Sequence, residues 1–179
     1  MLATQRTSTM QKELDKAASD GYRLLAGSPT SGSEIMMLVG KVAQPKTYEY
    51  KLLATNRLST MQKELNQASA KGFRLLPQTV VGKRGTSGGW ALKLVVPTGG
   101  AALAPDETVA VMEKATGSGK RYQYLVLDTT RTSTMQKEIS QAVRDGYGVV
   151  AMSGSPEKNE GGPGVAANLI VVLEKELAQ

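Results

Sequence analysis

The feature that most constrains this chain is a segment written three times. Arg6 to Gly21 reads RTSTMQKELDKAASDG, Arg57 to Gly72 reads RLSTMQKELNQASAKG, and Arg131 to Gly146 reads RTSTMQKEISQAVRDG. Nine of the sixteen columns are identical in all three, well beyond the chance resemblance of amphipathic helices. The copies start 51 and then 74 residues apart, so the second carries an insertion after its shared segment. The organisation that follows is three units: residues 1–45, 46–119 and 120–179.

Within each copy the apolar residues keep the i, i+4, i+7 spacing of one helix face: Met10, Leu14 and Ala17; Met61, Leu65 and Ala68; Met135, Ile139 and Ala142. Ser8, Ser59 and Ser133 each precede a glutamine by three residues (Gln11, Gln62, Gln136), which predicts a capping box at the helix start. Gly21, Gly72 and Gly146 supply the left-handed residue that closes a helix. Strand-like runs follow each glycine (Tyr22 to Ala26, Phe73 to Leu76, Tyr147 to Met152), and YEYKLLAT and YQYLVLDT precede the second and third helices. Each copy ends in an apolar run closed by lysine: Glu34 to Lys41, Thr108 to Lys114 and Leu169 to Lys175. The unit is β-α-β-β.

Two departures stand out. The first copy begins MLATQR, aligning with LLATNR of the second, so nearly all of its opening strand is expected to be missing from the sequence or supplied by another part of an assembly. The insertion of the second copy contains GGWALKLVV (Gly88 to Val96), read as an added strand, followed by the Gly/Ala/Pro-rich stretch Pro97 to Asp106.

The run YEYKLLAT through STMQKELNQASAKGFRLL resembles a family of short bacterial domains with no assigned function. Its members read like YEYKVV, then a helix ending near LNELGAEGWELV, then a last strand with a basic end. Glu64, Leu65, Asn66, Gly72, Phe73 and Leu75 carry the match. The family's frequent Trp is Tyr22, Phe73 and Tyr147 here, and its following acidic residue is Arg23, Arg74 and Gly148. The resemblance implies a β-α-β-β fold for each copy and carries over no reaction and no cofactor.

The chain has neither His nor Cys. This removes the usual neutral-pH general base, thiol nucleophiles, disulfides and zinc-thiolate sites, and with them much common enzymology. At 40% apolar and 21% charged residues the composition is that of a packed chain. No apolar run approaches the roughly 20 residues of a membrane span, and Met1 to Gln11 lacks the pattern of a signal peptide. A cytoplasmic chain and a mature secreted chain both fit. Gly119 and Lys120 look like the end of a phosphate loop, but Arg121 stands where Ser or Thr is required. No metal-ligand cluster is evident.

Two candidate binding sites remain. One is the repeated helix start: Arg6, Ser8 and Lys12; Arg57, Ser59 and Lys63; Arg131, Ser133 and Lys137. Unpaired amides beside a guanidinium and hydroxyls suit a phosphate or carboxylate; the plainer reading gives the serines to capping and the repetition to ancestry. The three lysines fall opposite the apolar face, so their identity points to a symmetric contact surface or to recent duplication. The other site is the insertion, with Lys83, Arg84, Trp90 and Lys93; nearly all of the net charge of +6 falls in residues 46–119. A basic hairpin with a ring suits a polyanion, whereas the plain alternative is a solvated tip with Trp90 packed inward.

The expected fold is α+β, with three β-α-β-β units in approximate pseudo-threefold symmetry. The uncovered face of each small sheet has to be covered by the other copies, so the sheets are expected to face inward or join in a barrel-like core with helices outside. The two strands flanking each helix should run parallel and the last strand return antiparallel. The expected function is a non-enzymatic structural or self-associating interaction protein, up to a filament subunit; the alternative is a ligand or polyanion binder. Self-association is expected by strand addition to the bare edge of the first sheet, with Glu174 to Gln179 or Ala91 to Val96 as donor.

Overall fold

A computed structural model describes residues 1–30, 34–42, 47–83, 107–117, 120–129, 131–154 and 169–178. The first copy contributes β1 (Leu2–Thr4), α1 (Thr7–Ser19), β2 (Tyr22–Pro29) and β3 (Ile35–Lys41). The second contributes β4 (Tyr48–Thr55), α2 (Leu58–Ser69), β5 (Arg74–Leu75), a 3-10 turn (Pro77–Thr79), β6 (Val81–Lys83) and β7 (Glu107–Ala115). The third contributes β8 (Arg121–Thr129), α3 (Thr132–Arg144), β9 (Gly148–Gly154) and β10 (Leu169–Leu177). The architecture is α+β, with three antiparallel sheets.

The sheets are ordered β1-β3-β2, β4-β7-β5 with β6 also on β7, and β8-β10-β9. In each, the copy's last strand pairs antiparallel with both the strand before the helix and the strand after it. Those two flanking strands therefore run parallel without touching, because the returning strand enters between them. Gly21, Gly72 and Gly146 close the helices at φ of 82°, 87° and 89°, the left-handed region that other residues occupy only at a cost.

Helices and sheets alternate through the molecule. Met10 and Leu14 of α1 pack on Leu24, Ile35 and Met37 of the first sheet and also on Tyr50, Val109 and Val111 of the second. Met61, Leu65 and Ala68 of α2 pack on Leu53, Ala110 and Met112 of their own sheet and on Tyr122, Tyr124 and Val172 of the third. Among the described residues Met135 and Ala142 of α3 meet only the third sheet, at Val171 and Leu173. The order along the stack is thus sheet, α1, sheet, α2, sheet, α3.

This corrects the expectation of a barrel-like core with helices outside. Among the described residues no closed barrel forms, and α1 and α2 are interior layers. The open faces of the second and third sheets are covered by the preceding copy, in both cases by its helix, and not by a facing sheet. A helix is roughly 10–12 Å across with its side chains, so a buried helix forms a layer of its own, and Met10 and Leu14 reach the sheets on either side of it.

Three local expectations also change. The helices are capped by Arg6, Arg57 and Arg131 in extended conformation without a side-chain cap bond, so Ser8, Ser59 and Ser133 are each the second helical residue. The chain turns into the first two helices by a different device, the Arg6 and Arg57 amides donating to the hydroxyls of Thr4 and Thr55 (3.2 and 3.1 Å). Next, the opening strand of the first copy, expected to be nearly all missing, is a three-residue strand, Leu2–Thr4, paired with Ile35–Met37. Finally, Glu174–Leu177, named as strand donor, is already paired with β8 in its own sheet. The Gly88 to Val96 strand, including the donor Ala91 to Val96, lies outside the described residues. Among the described residues no helix is long and apolar enough to cross a membrane.

Candidate interface between copies

One repeated polar residue, the helix glutamine, does its chemistry where one copy meets the next. Strand β8 is the edge of its sheet, and an edge carries backbone groups with no ladder partner. Helix α2 lays a stripe of polar side chains along that edge: Gln62, Asn66 and Ser69, spaced i, i+4, i+7. Gln62 Oε1 accepts from Val126 N (2.9 Å), and the Ser69 hydroxyl accepts from Tyr122 N (2.8 Å). Asn66 takes both groups between them, accepting from Tyr124 N (2.8 Å) and donating to Tyr124 O (3.0 Å). The match is geometric: a helical turn rises about 5.4 Å and two strand residues about 6.6 Å, so successive helix positions meet alternate strand residues.

The joint between the first and second copies uses a shorter version. Gln11 alone reaches the edge of β4, accepting from Leu52 N (2.7 Å) and donating to Tyr50 O (2.9 Å). Asp15 and Ala18 stand where Asn66 and Ser69 stand in α2. Asp15 accepts a bond from Gln11 Nε2 (2.8 Å), steadying the amide.

A second device, a charged latch, closes both joints. The Arg23 guanidinium donates from Nε and Nη2 to the Glu113 carboxylate (2.8–3.2 Å) and lies 5.1 Å from the Tyr48 ring centroid. Tyr50 completes it: its hydroxyl donates to Glu113 Oε2 (3.0 Å) and accepts from Leu24 N (2.9 Å). At the next joint Arg74 pairs with Glu174 and stacks 4.5 Å from Tyr122, while the Tyr124 hydroxyl donates to Glu174 (3.3 Å) and accepts from Leu75 N (2.9 Å). Burial pushes the Tyr50 and Tyr124 phenols well above the ordinary tyrosine value, and the adjacent carboxylates add to it. The hydrogen bonds to Glu113 and Glu174 raise Arg23 and Arg74 in turn.

A half-open cleft of about 370 Å³ lies beside the latches, lined by Arg23, Arg74, Leu76, Pro77 and Glu113 among others. Its two guanidiniums are already paired with carboxylates, so the cleft is not a vacant anion site. Among the described residues no three His, Cys, Asp or Glu side chains gather to hold a metal.

The residues singled out by sequence lie elsewhere. Arg6, Ser8 and Lys12, Arg57, Ser59 and Lys63, and Arg131, Ser133 and Lys137 are all exposed, on three separate helix starts. Lys83 closes β6, and Arg84, Trp90 and Lys93 lie outside the described residues. The ligand or polyanion reading therefore gains no assembled site among the described residues.

Sequence reasoning missed Arg23, Tyr50, Glu113, Arg74, Tyr124 and Glu174. A signal was available. The arginine recurs in copies one and two and becomes Gly148 in the third, while the glutamate recurs in copies two and three and is Gly40 in the first. A pair whose halves are offset by one copy marks contacts from each copy to the next.

Compared with family models, curated proteins and solved structures, the chain matches none.

Proposed function

We propose that the protein is a non-enzymatic structural module whose three copies form a stack, and that it associates with further copies of itself. The observation that carries this reading is the use of the repeated residues: Gln11 and Gln62 clasp the edge of the next sheet. A catalytic or ligand site repeated three times would instead gather polar side chains around a cavity. A stack built from one unit is also extensible, since each joint repeats the same heterologous contact. Sedimentation velocity on the purified chain over a wide concentration range tests the reading. The expected result is a mass that grows with concentration. A monomer at every concentration contradicts self-association.

A further inference from the structure

The two ends of the stack are unlike, and each presents uncovered the surface that the interior joints bury. At the α3 end, the stripe equivalent to Gln62, Asn66 and Ser69 is Gln136, Ser140 and Val143. Val143 is 52% exposed where Ser69 is fully buried. Beside it, Val149 of β9 is exposed although its counterpart Leu75 is buried, and Met152 is exposed too. At the opposite end, the outer face of the first sheet carries Leu25, Met36 and Leu38, counterparts of Leu76, Val109 and Val111. Those three are buried, the last two beneath α1, whereas Leu38 is 50% exposed and Leu25 is exposed. Five of the large apolar side chains exposed to solvent thus fall on these two faces.

Solenoids that stop at their ends need polar outer faces for solubility. Here the polar latch disappears at both ends together: Gly148 stands in place of the arginine and Gly40 in place of the glutamate. Leu25 fills the space over Gly40, its Cδ1 2.8 Å from where a Cβ would stand. A contact between these ends would leave no latch charge buried without its partner, because both halves of the latch are absent.

We propose that the chain stacks head to tail on a second copy of itself, α3 and β9 of one covering the outer face of the β1-β3-β2 sheet of the next. The inference deepens the self-association reading above and rests on it. It replaces edge-strand donation with the helix-on-sheet contact that already occurs twice within the chain. The helix contact places Gln136 opposite the backbone of Met1, the counterpart of Leu52. With neither half of the latch present, the joint rests mainly on apolar area and is reversible. The contact is heterologous, so each added chain leaves one free end for the next.

The test uses two exposed substitutions in the full chain, Leu38→Asp and Val143→Asp, each blocking one end, with circular dichroism to verify folding. Either variant alone is expected to sediment as a monomer at concentrations where the unaltered chain associates. An equal mixture is expected to form dimers and nothing larger, since each variant keeps one good end. If the unaltered chain is monomeric, the self-association reading and this inference both fail. If it associates and the variants associate equally, or if their mixture gives no dimer, this inference alone fails.

Discussion

Replacing Glu113 by alanine removes the centre of the first latch. Glu113 is 8% exposed and accepts from both Arg23 and Tyr50, whereas the Arg23 side chain is 43% exposed. A bond to a charged group is worth about 1.5–3 kcal/mol when shielded, but exposed ion pairs give about 0–1 kcal/mol, so the arginine share is discounted to about 1 kcal/mol. The Tyr50 hydroxyl loses its acceptor in a buried site and adds about 1 kcal/mol more. The expected cost is about 2 kcal/mol, read as a lower urea midpoint at neutral pH with an unchanged slope. Combining Arg23→Ala with Glu113→Ala should recover a coupling of about 1 kcal/mol in a double-mutant cycle. Glu174→Ala should cost less, since Arg74 is 56% exposed and the tyrosine contact is longer. A cost for Glu113→Ala below about 0.5 kcal/mol, with no coupling, is what a surface pair gives and would refute the reasoning.

Leu65 is fully buried between the second and third sheets, so Leu65→Ala should cost about 2–5 kcal/mol in the same unfolding assay. Burial raises the Tyr50 and Tyr124 phenols in the folded chain, so their contribution to stability is fully present below the unfolded tyrosine value near pH 10 and is lost as pH rises beyond it. Urea midpoints should therefore fall steeply above about pH 10, and a Tyr50→Phe, Tyr124→Phe chain, though weaker at neutral pH, should show a shallower fall.

Local structure was legible in the sequence wherever one segment decides it. The helix faces at Met10, Leu14 and Ala17 and the closing Gly21, Gly72 and Gly146 follow from spacing and from the freedom of glycine. Strand Tyr48–Thr55 was readable to the residue. The stacking order was not, because nothing local says whether Leu52 and Tyr50 meet another sheet or the helix of the preceding copy. Gln11 shows the difficulty most clearly. Its spacing from Ser8 fits a capping box, a contact within one turn, yet the amide reaches a strand 39 to 41 residues away, where two edge groups of β4 lack ladder partners. The latch was hidden by the same distance, Arg23 and Glu113 being 90 residues apart.

Three identical substitutions test the central claim that the repeated helix residues join each copy to the next: Gln11→Ala, Gln62→Ala and Gln136→Ala, compared by urea unfolding at concentrations where the chain is monomeric. Gln11 and Gln62 satisfy backbone groups of the following sheet, while Gln136 is exposed at the end of the stack. The first two should each cost about 1–3 kcal/mol, because an edge amide loses its partner, and the third should stay within about 0.5 kcal/mol of zero. Equal costs at all three positions would mean that the glutamines act within their own helices, and would contradict the account.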